Sequence, residues 1–115
     1  MQKILNLLNS SGIVHGYEVL DFKQGDYFSY LKLRAELINS TYLYVRIYIS
    51  RVDYIYSFHW QDKNNNLIIR WDNAPHHNNV STFPHHKHIG EKVTESYELT
   101  VEEVLNYIGK ETEWF

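Results

Sequence analysis

Leu31-Lys32-Leu33-Arg34-Ala35-Glu36-Leu37, then Ile38-Asn39-Ser40-Thr41, then Tyr42-Leu43-Tyr44-Val45-Arg46-Ile47-Tyr48-Ile49 is the stretch whose pattern decides the fold. Apolar and polar side chains alternate on both sides of Asn39-Ser40. A period of two sends successive side chains to opposite faces of a strand. Leu31, Leu33, Ala35 and Leu37 make one apolar row, and Leu43, Val45, Ile47 and Ile49 make the other. A tight turn at Asn39-Ser40 joins them into a hairpin with one buried side.

Working outward, the same period predicts a strand through Tyr17 and Val19 that ends at the turn signal Gln24-Gly25-Asp26. Residues 54–60 read as a further strand. Gln61 to Asn66 supplies a turn, and Leu67 to Asp72 returns. The expectation is an antiparallel meander of four to five strands within residues 14–72. Ile4, Leu5 and Leu8 at helical spacing, with Gly12 as terminator, predict a helix over 2–9. Thr100-Val101-Glu102-Glu103 spells a capping box, and Val101, Val104, Leu105 and Ile108 give a helix over 100–109 its apolar face. The predicted fold is α+β, one domain over 1–115, with both terminal helices on one face of the sheet. Residues 73–92, punctuated by Pro75 and Pro84, are expected to be an irregular loop.

Composition narrows the class. Ten Tyr, five Phe and three Trp in 115 residues favour sheet. The absence of cysteine excludes disulfides, thiolate metal sites and a cysteine nucleophile. No stretch approaches the roughly 20 apolar residues of a membrane span, and the N-terminus lacks a signal peptide's apolar core. A cytoplasmic protein with no membrane partner is expected. The net charge of −3 conceals an asymmetry. Residues 1–90 hold nine Lys and Arg against seven Asp and Glu, whereas 91–115 hold two against seven. An electropositive middle followed by an acidic, solvated helix fits a polyanion-binding surface.

The long loop carries the chemistry. Arg70-Trp71-Asp72-Asn73-Ala74-Pro75-His76-His77 leads to Thr82-Phe83-Pro84-His85-His86-Lys87-His88, placing five of the seven histidines within thirteen residues. Long connections in compact domains are often functional. Three readings stay open. Imidazoles suit zinc, copper, nickel and iron, with Asp72 or Asp62 adding a carboxylate, although the spacing matches no standard site. Alternatively, histidines titrating near neutrality serve as acid and base on a phosphodiester. In that reading Arg46, Arg70 and Lys87 neutralise phosphate, and Tyr44, Tyr48 or Trp71 stack unpaired bases. The third reading gives the histidines only backbone hydrogen bonds and turn caps. His59, between Phe58 and Trp60, is expected to pack or hydrogen-bond within the sheet, and His15 has no evident role. Arg46 is also readable as a cross-strand partner of Glu36.

Tyr56-Ser57-Phe58-His59-Trp60-Gln61-Asp62, Arg70-Trp71-Asp72-Asn73-Ala74-Pro75-His76-His77 and Thr82-Phe83-Pro84-His85-His86-Lys87-His88 together resemble the TumE-type toxin family of prokaryotic toxin–antitoxin systems. The likeness covers roughly residues 14–110. It implies a toxin silenced by a helix-turn-helix antitoxin and acting on translation in ribonuclease fashion. The positions matching the family blocks are Asp72, Asn73, His76, His77, His85, His86 and His88. This chain has Ile47 where the pattern often places an acidic residue after the strand arginine. The resulting expectation is a metal-independent endoribonuclease without cofactor. His76 and either His86 or His88 form the acid–base pair, and Asp72 orients an imidazole. The alternative is a non-catalytic module whose histidines hold a divalent transition metal such as zinc, or a partner. RNA is the expected substrate, and an uncovered sheet edge allows a homodimer.

Overall fold

The computed structural model describes residues 1–112. Helix α1 (Gln2–Ser10) precedes seven strands and helix α2 (Val101–Glu111) closes the fold. The strands are β1 (Val14–Gln24), β2 (Phe28–Leu37), β3 (Tyr42–Ser50), β4 (Tyr54–Gln61), β5 (Leu67–Asp72), β6 (His86–Ile89) and β7 (Lys92–Glu95). They pair antiparallel in chain order, so the sheet is a meander throughout.

Seven strands replace the four to five expected. The additional pair, β6 and β7, lies inside the segment read as irregular. Neither strand shows apolar alternation, because His86 and His88 occupy one side of β6 and Lys87 the other. Gly90, at φ +60°, makes the turn between them; a left-handed backbone favours glycine there. The remaining chain from Asn73 to His85 is a run of tight turns. His77 and Val80 carbonyls accept from Val80 and Phe83 amides. The Thr82 hydroxyl donates to the His85 carbonyl at 2.7 Å and accepts from the Ser96 amide at 3.0 Å.

The core follows from register. Leu33 pairs with Val45, Val45 with Phe58 and Phe58 with Trp71, one apolar row crossing four strands. Leu8 of α1 and Val101, Val104, Leu105 and Ile108 of α2 join the same buried cluster. Both helices therefore cover one face, as expected. Tyr107 of α2 meets Trp71 edge-to-face at 5.5 Å. Thr100 caps α2 and accepts from the Glu103 amide, while Glu103 reaches back to the Thr100 amide.

Turn chemistry sets the strand ends. Ser40 takes φ 64°, and the Asn39 carboxamide accepts from both the amide and hydroxyl of Thr41. That hydroxyl in turn accepts from the Trp60 indole at 2.9 Å. At Gly25 a Cβ would stand 2.5 Å from the Phe28 ring, so the β1–β2 turn excludes larger residues unless the ring moves. The acidic C-terminal portion is not one helical face. Glu91 and Glu95 belong to the β6–β7 hairpin and Glu98 precedes α2. Glu113 lies outside the described residues.

Candidate functional site

Over the middle of β2 to β6 the face away from the helices carries the polar half of the alternation. Arg34, Tyr44, His59, Arg70 and His88 pair successively across β2 to β6. The neighbouring row is Lys32, Arg46, Ser57, Asp72 and His86. A shallow depression of about 240 Å³ lies between them, lined by Lys32, Tyr44, Arg46, Ser57, His59 and Arg70. Arg46 does not pair with Glu36, which stands opposite Tyr42; its partner on β2 is Lys32. Like charges directly opposite one another destabilise a sheet. Among the described residues neither cation has a carboxylate partner.

His59 sits in this depression. The Arg70 guanidinium, which can only donate, lies 3.3 Å from His59 Nδ1. Nδ1 therefore accepts, and the neutral ring carries its proton on Nε2. Burial first, and then the Arg70 charge, hold the His59 pKa below the ordinary imidazole value, against a smaller opposing effect of Gln61. Tyr44 meets the ring edge-to-face at 6.3 Å.

A second cluster forms where β5 meets β6. Asp72, only 5% exposed, accepts from the Ala74 amide at 3.0 Å and from Arg70 Nε at 3.2 Å. Its Oδ1 lies 3.0 Å from His86 Nε2 and its Oδ2 3.5 Å from His88 Nε2. The two imidazole Nε2 atoms are themselves 3.1 Å apart. His77, from the turn segment, brings its ring to 4.8 Å from His86 and 5.3 Å from His88. Burial lowers the His88 pKa, with Asp72 opposing the shift.

A family model described as "Toxin TumE" matches residues 4–112, nearly the whole chain. The chain belongs to the TumE toxin family. No curated protein and no solved structure matches it significantly. Membership of a toxin family implies an antitoxin partner. No helix among the described residues is long and apolar enough to cross a membrane.

The TumE family blocks separate into chemical and structural positions. Asp72, His77, His86 and His88 come together, with Arg70 beside them. His76 is exposed and is not among the three histidines whose ligand nitrogens come together. His86 is only 1% exposed, which keeps it from direct contact with a polymer. His85 turns toward the core: its Nδ1 and the Tyr56 hydroxyl share a hydrogen bond at 2.9 Å, and its ring stacks on Tyr56. Burial pushes the Tyr56 phenol far above its usual range, so it keeps its proton. Asn73 replaces a strand residue, accepting from the Tyr56 amide at 3.0 Å and donating to the Tyr54 carbonyl at 2.7 Å.

Among the residues expected to bind substrate, Arg46, Arg70 and Tyr44 line the depression. Tyr48 stacks on Phe28 at 5.8 Å. Trp71 is 4% exposed within the core and offers no surface for a base. Lys87 stands opposite Trp71 in the register, on the other side of β6 from His86 and His88. Asp62 takes no part in either cluster; it caps the β4–β5 turn by accepting from Asn64 and Asn66. Those hydrogen bonds hold its pKa low. Ile47 is buried against the helices, so an acid at that position would face the core rather than the polar face.

His59 is the residue that sequence reasoning sets aside. Its bulky neighbours Phe58 and Trp60 make it look like sheet interior. Alternation carries the signal, since a strand that buries 58 and 60 must turn 59 outward.

Proposed function

We propose that this TumE-family chain acts in the cytoplasm as the toxin of a two-gene pair, cleaving RNA and silenced by a helix-turn-helix antitoxin. One observation carries the reading: Lys32 and Arg46, face to face and without a carboxylate partner among the described residues, share a depression with Arg70 and His59. Such a set suits a phosphodiester. The cations neutralise phosphate oxygens as charge grows on them, and Tyr44 offers a ring for an unpaired base. A phosphate that draws Arg70 to itself releases His59 Nδ1. That nitrogen then accepts the ribose 2′-hydroxyl proton as the oxygen attacks phosphorus. The P–O bond to the 5′-oxygen breaks, that oxygen is protonated from solvent, and a 2′,3′-cyclic phosphate remains.

The depression is shallow and open, which suits single-stranded RNA better than a small metabolite needing enclosure. The test is induced expression in a bacterial host beside incubation of purified protein with defined RNA. Growth arrest with cyclic-phosphate ends is expected from the natural sequence, and His59→Ala is expected to lose both while remaining folded. Intact RNA in the presence of a folded, growth-arresting protein overturns the ribonuclease reading and points to partner binding. Relief of arrest by an adjacent helix-turn-helix gene tests the antitoxin assignment separately.

A further inference from the structure

We infer that His77, His86 and His88, backed by Asp72, form a binding site for a divalent late transition ion of the zinc type. The geometry comes first. One ligand nitrogen from each of the three histidines lies within 4.8 Å of the others. The three rings meet edge-to-face at 63°, 77° and 75° rather than stacking. Bonds of about 2.0–2.1 Å to tetrahedral zinc place ligand atoms about 3.3 Å apart. The separations of 3.0 Å between Asp72 Oδ1 and His86 Nε2, 3.1 Å between His86 and His88 Nε2, and 3.5 Å between Asp72 Oδ2 and His88 Nε2 bracket that value. The wider gap belongs to His77, carried on the turn segment outside the sheet.

Donor accounting gives the second, independent argument. His86 Nδ1 lies 2.9 Å from the Pro84 carbonyl, which accepts only, so Nδ1 holds the proton. Its Nε2 then points at a carboxylate oxygen and another imidazole nitrogen together, inside a 1% exposed environment. A cation between those atoms resolves the arrangement. An Nδ1–H bond to a backbone carbonyl is also the outer contact that metal-bound imidazoles commonly make, fixing tautomer and ring direction. Arg70 completes the site from outside: it holds Asp72 Oδ2 while Oδ1 faces His86. Nitrogen-rich ligands with one carboxylate favour zinc, copper, nickel or iron over magnesium or calcium.

The site shares Arg70 with the His59 depression but takes its ligands from other residues, and its test uses no RNA, so either can fail alone. Full-length protein is stripped with chelator, dialysed and checked for fold by circular dichroism. Cobalt(II) and zinc(II) are then titrated in separately. One equivalent is expected to bind, cobalt giving the visible bands of a low-coordinate nitrogen site and zinc raising the melting temperature. Removing a residue that only supports a metal ligand weakens binding about 10- to 100-fold. His88→Ala and the more exposed His77→Ala are expected to lose at least as much, and His76→Ala nothing. No stoichiometric binding by the folded natural sequence overturns the site. So does binding that His77→Ala and His88→Ala leave intact, or that His76→Ala removes. Should His88→Ala fail to fold, His77→Ala decides.

Discussion

Asp72 and His86 face one another across β5 and β6, carboxylate Oδ1 3.0 Å from imidazole Nε2, and both are almost wholly buried. The carboxylate also receives the Ala74 amide and Arg70 Nε. Removing one member of a buried charged group leaves the others without partners. Asp72→Ala is therefore expected to cost about 3 kcal/mol in metal-free protein, read from the shift of the urea midpoint. An unchanged midpoint would mean that water replaces the carboxylate without penalty.

Asn73 offers a cleaner structural experiment. Its side chain closes the pairing of β4 beyond the last residue of β5, satisfying one amide and one carbonyl. Each buried polar group left unpaired costs about 1–3 kcal/mol. Asn73→Ala should lower the unfolding free energy by about 2–4 kcal/mol, without altering metal uptake by protein that remains folded. Calorimetry and a metal titration on the same sample check both halves.

Lys32 and Arg46 should behave in the opposite way. Because they repel across β2 and β3, replacing either with Gln is expected to leave the melting temperature unchanged or slightly raised. Affinity for single-stranded RNA should fall. The slope of log affinity against log salt should flatten by about 0.7 for each phosphate no longer neutralised. Filter binding at several salt concentrations measures it.

The pH dependence of stability has a defined sign. His59 has a folded pKa below the unfolded value of about 6.5, so the unfolded chain binds the proton more readily. Stability is full above about pH 6.5 and declines as pH falls from there toward the folded pKa. The groups facing the ring are Arg70 on β5, Tyr44 on β3 and Gln61 on its own strand, with Lys32 and Arg46 in the same depression. His59→Gln should make that limb shallower, leaving the part that His88, also lowered by burial, contributes, as denaturant melts between about pH 5 and 7.5 would record.

Alternation decides how much of this is legible in the sequence. The hairpin of β2 and β3, the helix faces and the Thr100 capping box are local patterns, and each appears where the sequence implies. The β6–β7 pair escapes because His86-Lys87-His88-Ile89 buries through histidine instead of an aliphatic row. Its turn glycine, Gly90, is the available signal. The histidine segment stands out in the sequence, but proximity along the chain does not reveal that His76 and His85 leave the cluster while Arg70 and Asp72 enter it. Only the register of β5 against β6 settles that. Trp71, conspicuous in sequence as a stacking surface, belongs to the core for the same parity reason that sends Arg70 and Asp72 outward.

Over the centres of β2 to β5 the sheet separates its two jobs by parity, helices and core side chains on one side, His59 and the cations of the depression on the other. Substitutions at the outward positions can retune what the molecule grips while the packed side stays untouched. A single-residue insertion or deletion inside β5 is a different matter. It would exchange Ile69 and Trp71 with Arg70 and Asp72, taking away the chemistry and the packing in one event. Related toxins should therefore keep the length of this strand nearly fixed.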